Sequence, residues 1–339
     1  MLRFLAHTLE QLDLALEHVL KRDANSARFA VMLTDNALEL VLHQFASDER
    51  RERSALWKRE KTYEDEAELE AALGRHFDAK LRFARPRLPL SDEEAQTISI
   101  CHDLRNDVYH IGLQHEAVLP AIAGLYFACA ASVLERYEPN FLSYSPNMVL
   151  PERSRKFFEV QKPFGLRGRE DFQEGCRALA ARAGFQVGPF VEALADHLAE
   201  IIEEQDSVID IVATGGPNQT SRDEAVTQTE SWHIMFDPKA AGAAKKRLKG
   251  KRPDAGKSIA ELQSWLLENG ALRYTCDPVP GWRSREASLR REKNPHKALK
   301  KYRDFIVQSA DIRELLLEAC GQIEQWIEGQ IERMRMGDV

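Results

Sequence analysis

The sequence of 339 residues has no uninterrupted apolar run near the ~20 residues that a helix needs to cross a bilayer. Its five cysteines include no CxxC pair, which argues against a structural zinc site and a disulfide framework and favours a reducing compartment. Neither the phosphate-binding pattern GxxxxGKS/T nor the nucleophile elbow GxSxG occurs. We therefore expect a cytoplasmic protein with no membrane association, no metal and no cofactor.

What the sequence does contain is helical periodicity over most of its length. The segment Leu2–Lys21 places apolar residues on one face, so we expect an amphipathic helix there and not a secretory signal. Asp23 is a capping residue for a second, more hydrophobic helix, which Asp35 and Asn36 interrupt. Because buried polar groups need hydrogen-bond partners, these two residues are expected to require partners inside the protein.

The N-terminal part of the chain, residues 1–140, is predicted to be a bundle of four or five helices. A helix over about 66–83 precedes a capping box formed by Ser91 and Glu94, which opens the helix that carries the segment ISICHDLRNDVYHIGL. An apolar helix of small residues follows, and this region has no strand pattern. Since the whole chain is too long for one compact core, we expect a second domain.

The second domain is predicted to span residues 171–339 and to be mainly helical, after a proline-containing linker at 141–170. Within it, residues 213–258 are rich in Gly, Thr, Lys and Pro and predict a long loop or a partly disordered arm. For residues 272–275 a short strand is one of the structures that the sequence allows. A long helix closes the chain, and the predicted fold class is all-α.

Charge is distributed unevenly along the chain. The net charge is −7, but residues 239–303 carry 18 Lys and Arg against 6 Asp and Glu, whereas residues 190–212 carry seven acidic residues and no Lys or Arg. A basic region in an acidic protein favours a polyanionic partner, and solvated charged helices are the alternative. Trp282, with Arg283 and Arg285 close to it in the sequence, is a candidate for stacking on a base. The candidate RNA-binding residues are Lys245, Lys246, Arg247, Trp282, Arg283 and Arg285.

Two Arg–His pairs have four residues between their members, Arg105–His110 and Arg291–His296. With 31 arginines and 10 histidines in the chain, about one such pair is expected by chance. The second pair lies in a basic, hydrophilic stretch and is interpreted as the chance match. The first lies at the end of an apolar helix and has Asn106 directly after the arginine.

This arrangement resembles the HEPN domain, a helical bundle named for its occurrence in higher eukaryotes and prokaryotes and for nucleotide binding. Many members carry an R-x4-6-H motif with a polar residue after the arginine, and the segment LTDNALELVLHQF is similar to the helix that precedes this motif. The resemblance covers about residues 1–140. It implies a HEPN-like bundle, a homodimer, RNA as substrate and a place in antiviral defence or a toxin system, and it leaves room for a regulatory partner protein.

In catalytic HEPN proteins the motif lies at the homodimer interface, where two copies form one RNA-cleaving cleft. The resemblance implies that His110 transfers protons, that Arg105 binds the phosphate and its developing charge, and that Asn106 orients the pair or binds RNA. The chemistry agrees, because metal-free cleavage by the 2′-hydroxyl needs a group that both accepts and donates protons near pH 7, as histidine does. A guanidinium binds the phosphorane-like transition state at two points.

Two questions remain open at this level. Around an ideal helix the positions of Arg105 and His110 lie about 140° apart, so they act together only if the helix distorts or if each meets residues of a second protomer. The alternative function is a non-catalytic HEPN-type module that binds nucleic acid or protein, with residues 239–303 as its working surface.

Overall fold

The computed structural model describes residues 1–55, 63–110, 116–140, 148–158, 168–253 and 257–336, and of residues 107–110 it describes the backbone. Within these ranges the chain forms thirteen α-helices and one 3-10 helix and no strand. This confirms the predicted all-α fold class. Among the described helices, none combines the length and the apolar character that a bilayer crossing requires.

The first six helices follow local signals in the sequence. They are α1 (Leu2–Lys21), α2 (Ala24–Arg53), α3 (Glu66–Leu73), α4 (Phe77–Ala84), α5 (Asp92–His110) and α6 (Leu119–Glu135). The side chain of Asp23 caps α2 by accepting a hydrogen bond from the backbone N–H of Ser26 at 2.8 Å. Ser91 and Glu94 form the predicted capping box at the start of α5. The single helix predicted over 66–83 is two helices, because the chain leaves α3 at Gly74 in an extended conformation.

Helix α2 is the central element of this group. It packs against α1, α3, α4, α5 and α6, which explains why its sequence is apolar around most of its circumference. Helix α1 contributes a stripe of fully buried leucines: Leu5, Leu9, Leu12 and Leu16. Burying one such side chain stabilises the fold by about 1.5–3 kcal/mol, so this stripe is a major part of the core.

The rest of the chain forms a 3-10 helix (Glu152–Phe157), α7 (Arg169–Ala183), α8 (Val187–Thr214), α9 (Arg222–Phe236), α10 (Pro238–Arg247), α11 (Ile259–Glu268), α12 (Val279–Arg290) and α13 (Pro295–Met336). The chain divides into two compact units. The first comprises Met1–Leu194 and Glu292–Lys300, and the second comprises Ala195–Arg291 and Lys301–Val339.

The first unit extends past the predicted domain boundary, and the carboxylate of Asp13 contributes to this by bonding later segments to α1. Asp13 is buried and lies 3.1 Å from Arg153 and 2.6 Å from Lys156, both on the 3-10 helix. Arg182 of α7 donates to the same carboxylate at 3.3 Å. A buried carboxylate needs such partners. The linker was predicted at residues 141–170. These contacts therefore hold its middle part, the 3-10 helix, to the first unit.

Two helices lie where the sequence predicted a loop or an arm at residues 213–258. Helix α9 has a capping box of Ser221 and Glu224 at its start, and Asp237 caps α10, whose first residue is Pro238. The prediction of a loop was wrong, because these local starting signals outweigh the unfavourable composition of the segment.

No strand forms at residues 272–275. The buried carboxylate of Glu230 on α9 accepts hydrogen bonds from the backbone N–H groups of Arg273 and Tyr274, each at 2.9 Å. Since these amides already have an acceptor, they need no neighbouring strand. Glu230 thereby fixes the connection between α11 and α12 to α9.

Candidate functional site

Helix α5 positions the Arg–His motif at its C-terminal end. The helix continues to His110, its last residue, and Arg105 lies a little more than one turn earlier. The side chain of His110 lies outside the described residues, so its predicted role stays a prediction. In a continuous α-helix the two positions are about 140° apart around the axis.

Arg105 is held by a buried carboxylate on α2. Its Nε donates to Oδ2 of Asp35 at 2.9 Å, and its Nη2 lies 2.8 Å from the same oxygen. The other oxygen of Asp35 lies 3.0 Å from Nδ1 of His102 on α5 and accepts a hydrogen bond from the hydroxyl of Tyr126 on α6 at 2.6 Å. Asp35 is fully buried, so three side chains from two helices supply the partners that its position requires.

These contacts keep Asp35 ionised at neutral pH. Burial raises the pKa of its carboxyl, but hydrogen bonds from His102 and Tyr126 and the charge of Arg105 outweigh burial and hold the pKa below its ordinary value. An ionised carboxylate only accepts hydrogen bonds, so Nδ1 of His102 carries a proton. Burial, together with the charge of Asp35, raises the pKa of Tyr126 well above its ordinary value, so its hydroxyl remains a donor.

A second carboxylate on α2, that of Glu39, extends this network. It lies 3.6 Å from Nη2 of Arg105 and accepts a hydrogen bond from Nζ of Lys80 at 2.8 Å. Lys80 is buried on α4. Along the series Lys80, Glu39, Arg105 and Asp35 the charges alternate in sign and sum to zero, so each has an opposite charge as neighbour.

Arg105 keeps part of its side chain accessible. The side chain is 29% exposed, and its Nη1 donates to Oδ1 of Asn106 at 2.9 Å. Asn106 therefore contacts the arginine that the sequence expected it to orient. Each Nη of a guanidinium carries two N–H groups, so one that is held by fixed partners can still donate to a phosphate oxygen.

Part of this network has a signal in the sequence. Asp35 was expected to need partners, and His102 and Arg105 are three residues apart, a spacing that places both on one face of a helix. Glu39, Lys80 and Tyr126 were missed, since nothing in their local sequence distinguishes them from ordinary surface or core positions.

The predicted RNA-binding residues on α10 divide into two kinds. Lys245 and Lys246 are exposed and form no ion pair within the part of the chain that the structure describes. Arg247 instead donates through Nε to the backbone carbonyl of Ala271, and its Nη2 lies 3.8 Å from Glu230. Arg247 therefore stabilises the fold of the second unit, and the two lysines remain available to a partner.

Trp282 is a core residue. It is 4% exposed and packs edge-on against Phe305, with 5.7 Å between the ring centroids. A base has no free face to stack on there, so the prediction of base stacking by Trp282 is wrong. Arg283, the next residue, is exposed nonetheless, because adjacent helical positions are about 100° apart.

The two arginines that follow Trp282 on α12, Arg283 and Arg285, make contacts within the second unit. Arg283 lies 3.1 Å from Glu203 and 2.7 Å from Asp206 of the acidic segment on α8. The guanidinium of Arg285 lies 5.3 Å from the ring centroid of Phe305, a cation–π distance. Part of the positive charge in residues 239–303 therefore compensates the protein's own carboxylates.

Comparison with known proteins gives no family assignment. No family model matches the chain, and no curated protein or solved structure is significantly similar to it. Function has to be inferred from the motif on α5 and from the contacts of the described residues.

Asp35→Asn is expected to lower the free energy of unfolding by about 2–4 kcal/mol at pH 7, because it leaves Arg105 and His102 without their buried anion. The folded-state pKa of Asp35 is depressed. Its contribution is therefore complete above the unfolded pKa of about 4 and is lost as pH falls through the folded pKa. The difference between wild type and Asp35→Asn should thus shrink at low pH, as measured by urea unfolding followed by circular dichroism.

The control is Asp78→Asn, which changes an exposed aspartate on α4 and should cost less than about 0.5 kcal/mol. Equal unfolding free energies for the two variants at pH 7 would contradict the structural role of Asp35.

Proposed function

We propose that the chain is a metal-independent endoribonuclease that uses Arg105 and His110 at a homodimer interface. The observation that carries the proposal is the fixed, partly exposed side chain of Arg105, five positions before His110 on α5. In this mechanism His110 moves the proton of the 2′-hydroxyl or of the leaving 5′-oxygen, and Arg105 binds the phosphate. Asn106 orients Arg105. Antiviral defence or a toxin system is the setting that the family resemblance suggests.

The charge balance around Arg105 restricts where the positive charge of the cleft comes from. Asp35 and Glu39 already face the guanidinium, and with Lys80 the four charges sum to zero. A phosphate held by one copy of Arg105 alone would therefore meet little net positive charge. A second copy brings an Arg105 that is balanced in the same way, so in a shared cleft a protonated His110 would supply the net positive charge.

The direct test is cleavage of a single-stranded RNA in EDTA by the purified full-length protein. Wild type should cleave and leave 2′,3′-cyclic phosphate or 3′-phosphate ends. His110→Ala should cleave at least about 100-fold more slowly, because it loses the general acid–base group. Product ends would be identified by mass spectrometry.

The chain offers a matched control in its second Arg–His pair. His296 lies 2.8 Å from the hydroxyl of Thr97 through Nδ1, and His296→Ala should leave cleavage at the wild-type rate. An inactive wild-type protein, or equal cleavage by wild type and His110→Ala, would contradict the proposal.

A mixing experiment tests whether the cleft is shared. Arg105→Lys keeps a cation beside Asp35 but loses the planar fork that grips a phosphate, so alone it should cleave poorly. If Arg105 of one protomer works with His110 of the other, exchanging subunits between Arg105→Lys and His110→Ala should restore up to about a quarter of wild-type cleavage, from one intact site in half of the dimers. If both residues act within one protomer, the mixture should stay as inactive as its components.

A second candidate function, binding of a polyanion without catalysis, is favoured by the surface of α10. Besides Lys245 and Lys246, three neighbouring cations are exposed and form no ion pair among the described residues: Lys239, Lys249 and Arg252. Such a group of unpaired cations attracts phosphates and makes binding sensitive to salt.

For this candidate, the double charge reversal Lys245→Glu and Lys246→Glu is expected to weaken RNA binding and to reduce the slope of log affinity against log salt by about 0.7 per lost phosphate contact. Fluorescence anisotropy with a labelled RNA at several salt concentrations measures both effects. The control is Lys21→Glu with Arg22→Glu, which changes the net charge equally on an exposed part of α1 and its C-cap. Equal losses in both double variants would indicate a general charge effect and would rule out a site on α10.

A further inference from the structure

The second unit contains an open cavity of about 980 Å³, and no residue of the Arg–His motif is among the residues that line it in the described part of the chain. Its walls come from α9, α11 and α13 and from the turn before α9. A volume of this size lies at the upper end of the range for small-molecule pockets, about 300–1,000 Å³. Three helices hold the lining residues, so the cavity is formed by regular structure.

Two aromatic side chains on α9 expose their faces in this cavity. Trp232 is 52% exposed and Phe236 is 62% exposed, and their ring centroids are 4.6 Å apart at an interplanar angle of 45°. Ile259 on α11 is also exposed in the lining, and Leu315 of α13 adds a second aliphatic side chain. Large apolar faces inside a concavity indicate that a flat, apolar group of a ligand covers them.

The charge of the lining restricts the ligand further. Among its described residues there is no lysine or arginine. Glu318 forms no ion pair within the described chain, and Asp237 lies 3.7 Å from His233 while it caps α10. Glu318, which has no cation beside it among the described residues, repels an anionic ligand, so a phosphate or carboxylate group is unfavourable in this cavity.

Carboxamide side chains supply the polar part of the lining. Their side-chain groups form no hydrogen bond with any described residue, and they are Asn218, Gln228, Gln263 and Gln322. Each carboxamide carries both donors and an acceptor. Such a set matches an uncharged heterocycle whose edge alternates donors and acceptors, since a purely apolar ligand would leave these groups without partners.

We propose that this cavity binds a nucleoside, with its base stacked on Trp232 and its polar edges hydrogen-bonded to the carboxamides. A base provides the flat face, and base and ribose together provide donors and acceptors without charge. The acidic lining favours the nucleoside over its phosphorylated form. The proposed nucleoside site is independent of the ribonuclease activity proposed above.

The test is isothermal titration calorimetry of the full-length protein with adenosine, guanosine, cytidine and uridine and with their 5′-monophosphates. At least one nucleoside should bind with a Kd of about 1 mM or below, and its monophosphate should bind at least about ten-fold more weakly. Trp232→Ala should weaken nucleoside binding by about ten-fold or more through the loss of stacking, and Trp232→Phe should retain most of it. Trp326→Ala, which removes an exposed tryptophan of α13 outside the cavity, is the control and should bind normally.

Glu318→Lys gives a second, independent readout. It places a cation in the lining, so it should raise the affinity for the monophosphate while leaving that for the nucleoside nearly unchanged. Absence of saturable binding for all four nucleosides would overturn the proposal. So would equal affinity of the wild-type protein for nucleoside and monophosphate, or unchanged binding by Trp232→Ala.

Discussion

The arrangement of the candidate motif depends on one buried charge, the carboxylate of Asp35. Removing a carboxylate from water costs several kcal/mol unless hydrogen bonds and an opposite charge replace its hydration. Its partners lie on α5 and α6, so satisfying this one group fixes both helices against α2. The position of α5 that allows these contacts with Asp35 also determines where Arg105 lies. The position of the motif is thus a consequence of how the first unit compensates its buried acid.

The same constraint has two opposite effects on the chemistry that Arg105 can support. A guanidinium that is oriented during folding needs no reorganisation when a phosphate arrives, which favours transition-state binding. Its charge, however, is already balanced by Asp35 and Glu39, which weakens its attraction for a phosphate. In the proposed cleft of two copies each arginine would stay oriented, and the net positive charge would come from a protonated His110. Arg105 would then have both a structural and a catalytic role, which a single truncation cannot separate.

How much the sequence could predict depended on the range of the interactions. Capping by Asp23 and the box of Ser91 and Glu94 act over three residues, and both were predicted correctly. The partners of Asp35 are 67 to 91 positions away in the chain, and only packing brings them together. Helices α9 and α10 begin at capping residues that are visible in the sequence, although the composition of the segment predicts a loop or an arm. Trp282 is buried because of the direction in which its side chain points on α12, and arginines close to it in the sequence do not determine that direction.

The second unit illustrates why the charge of a segment does not by itself identify a partner. Acidic residues of α8 and arginines of residues 239–303 pair with each other, so much of the charge visible in the sequence is compensated within the unit. Two local surfaces of opposite charge remain available to a partner. One is formed by the unpaired lysines on α10. The other is the cavity, whose lining includes Glu318 and no Lys or Arg among the described residues. Phosphates are attracted to the first surface and repelled by the second. The salt dependence of binding distinguishes the two surfaces, because salt screens the attraction of phosphates to exposed lysines and leaves stacking on an aromatic ring almost unchanged.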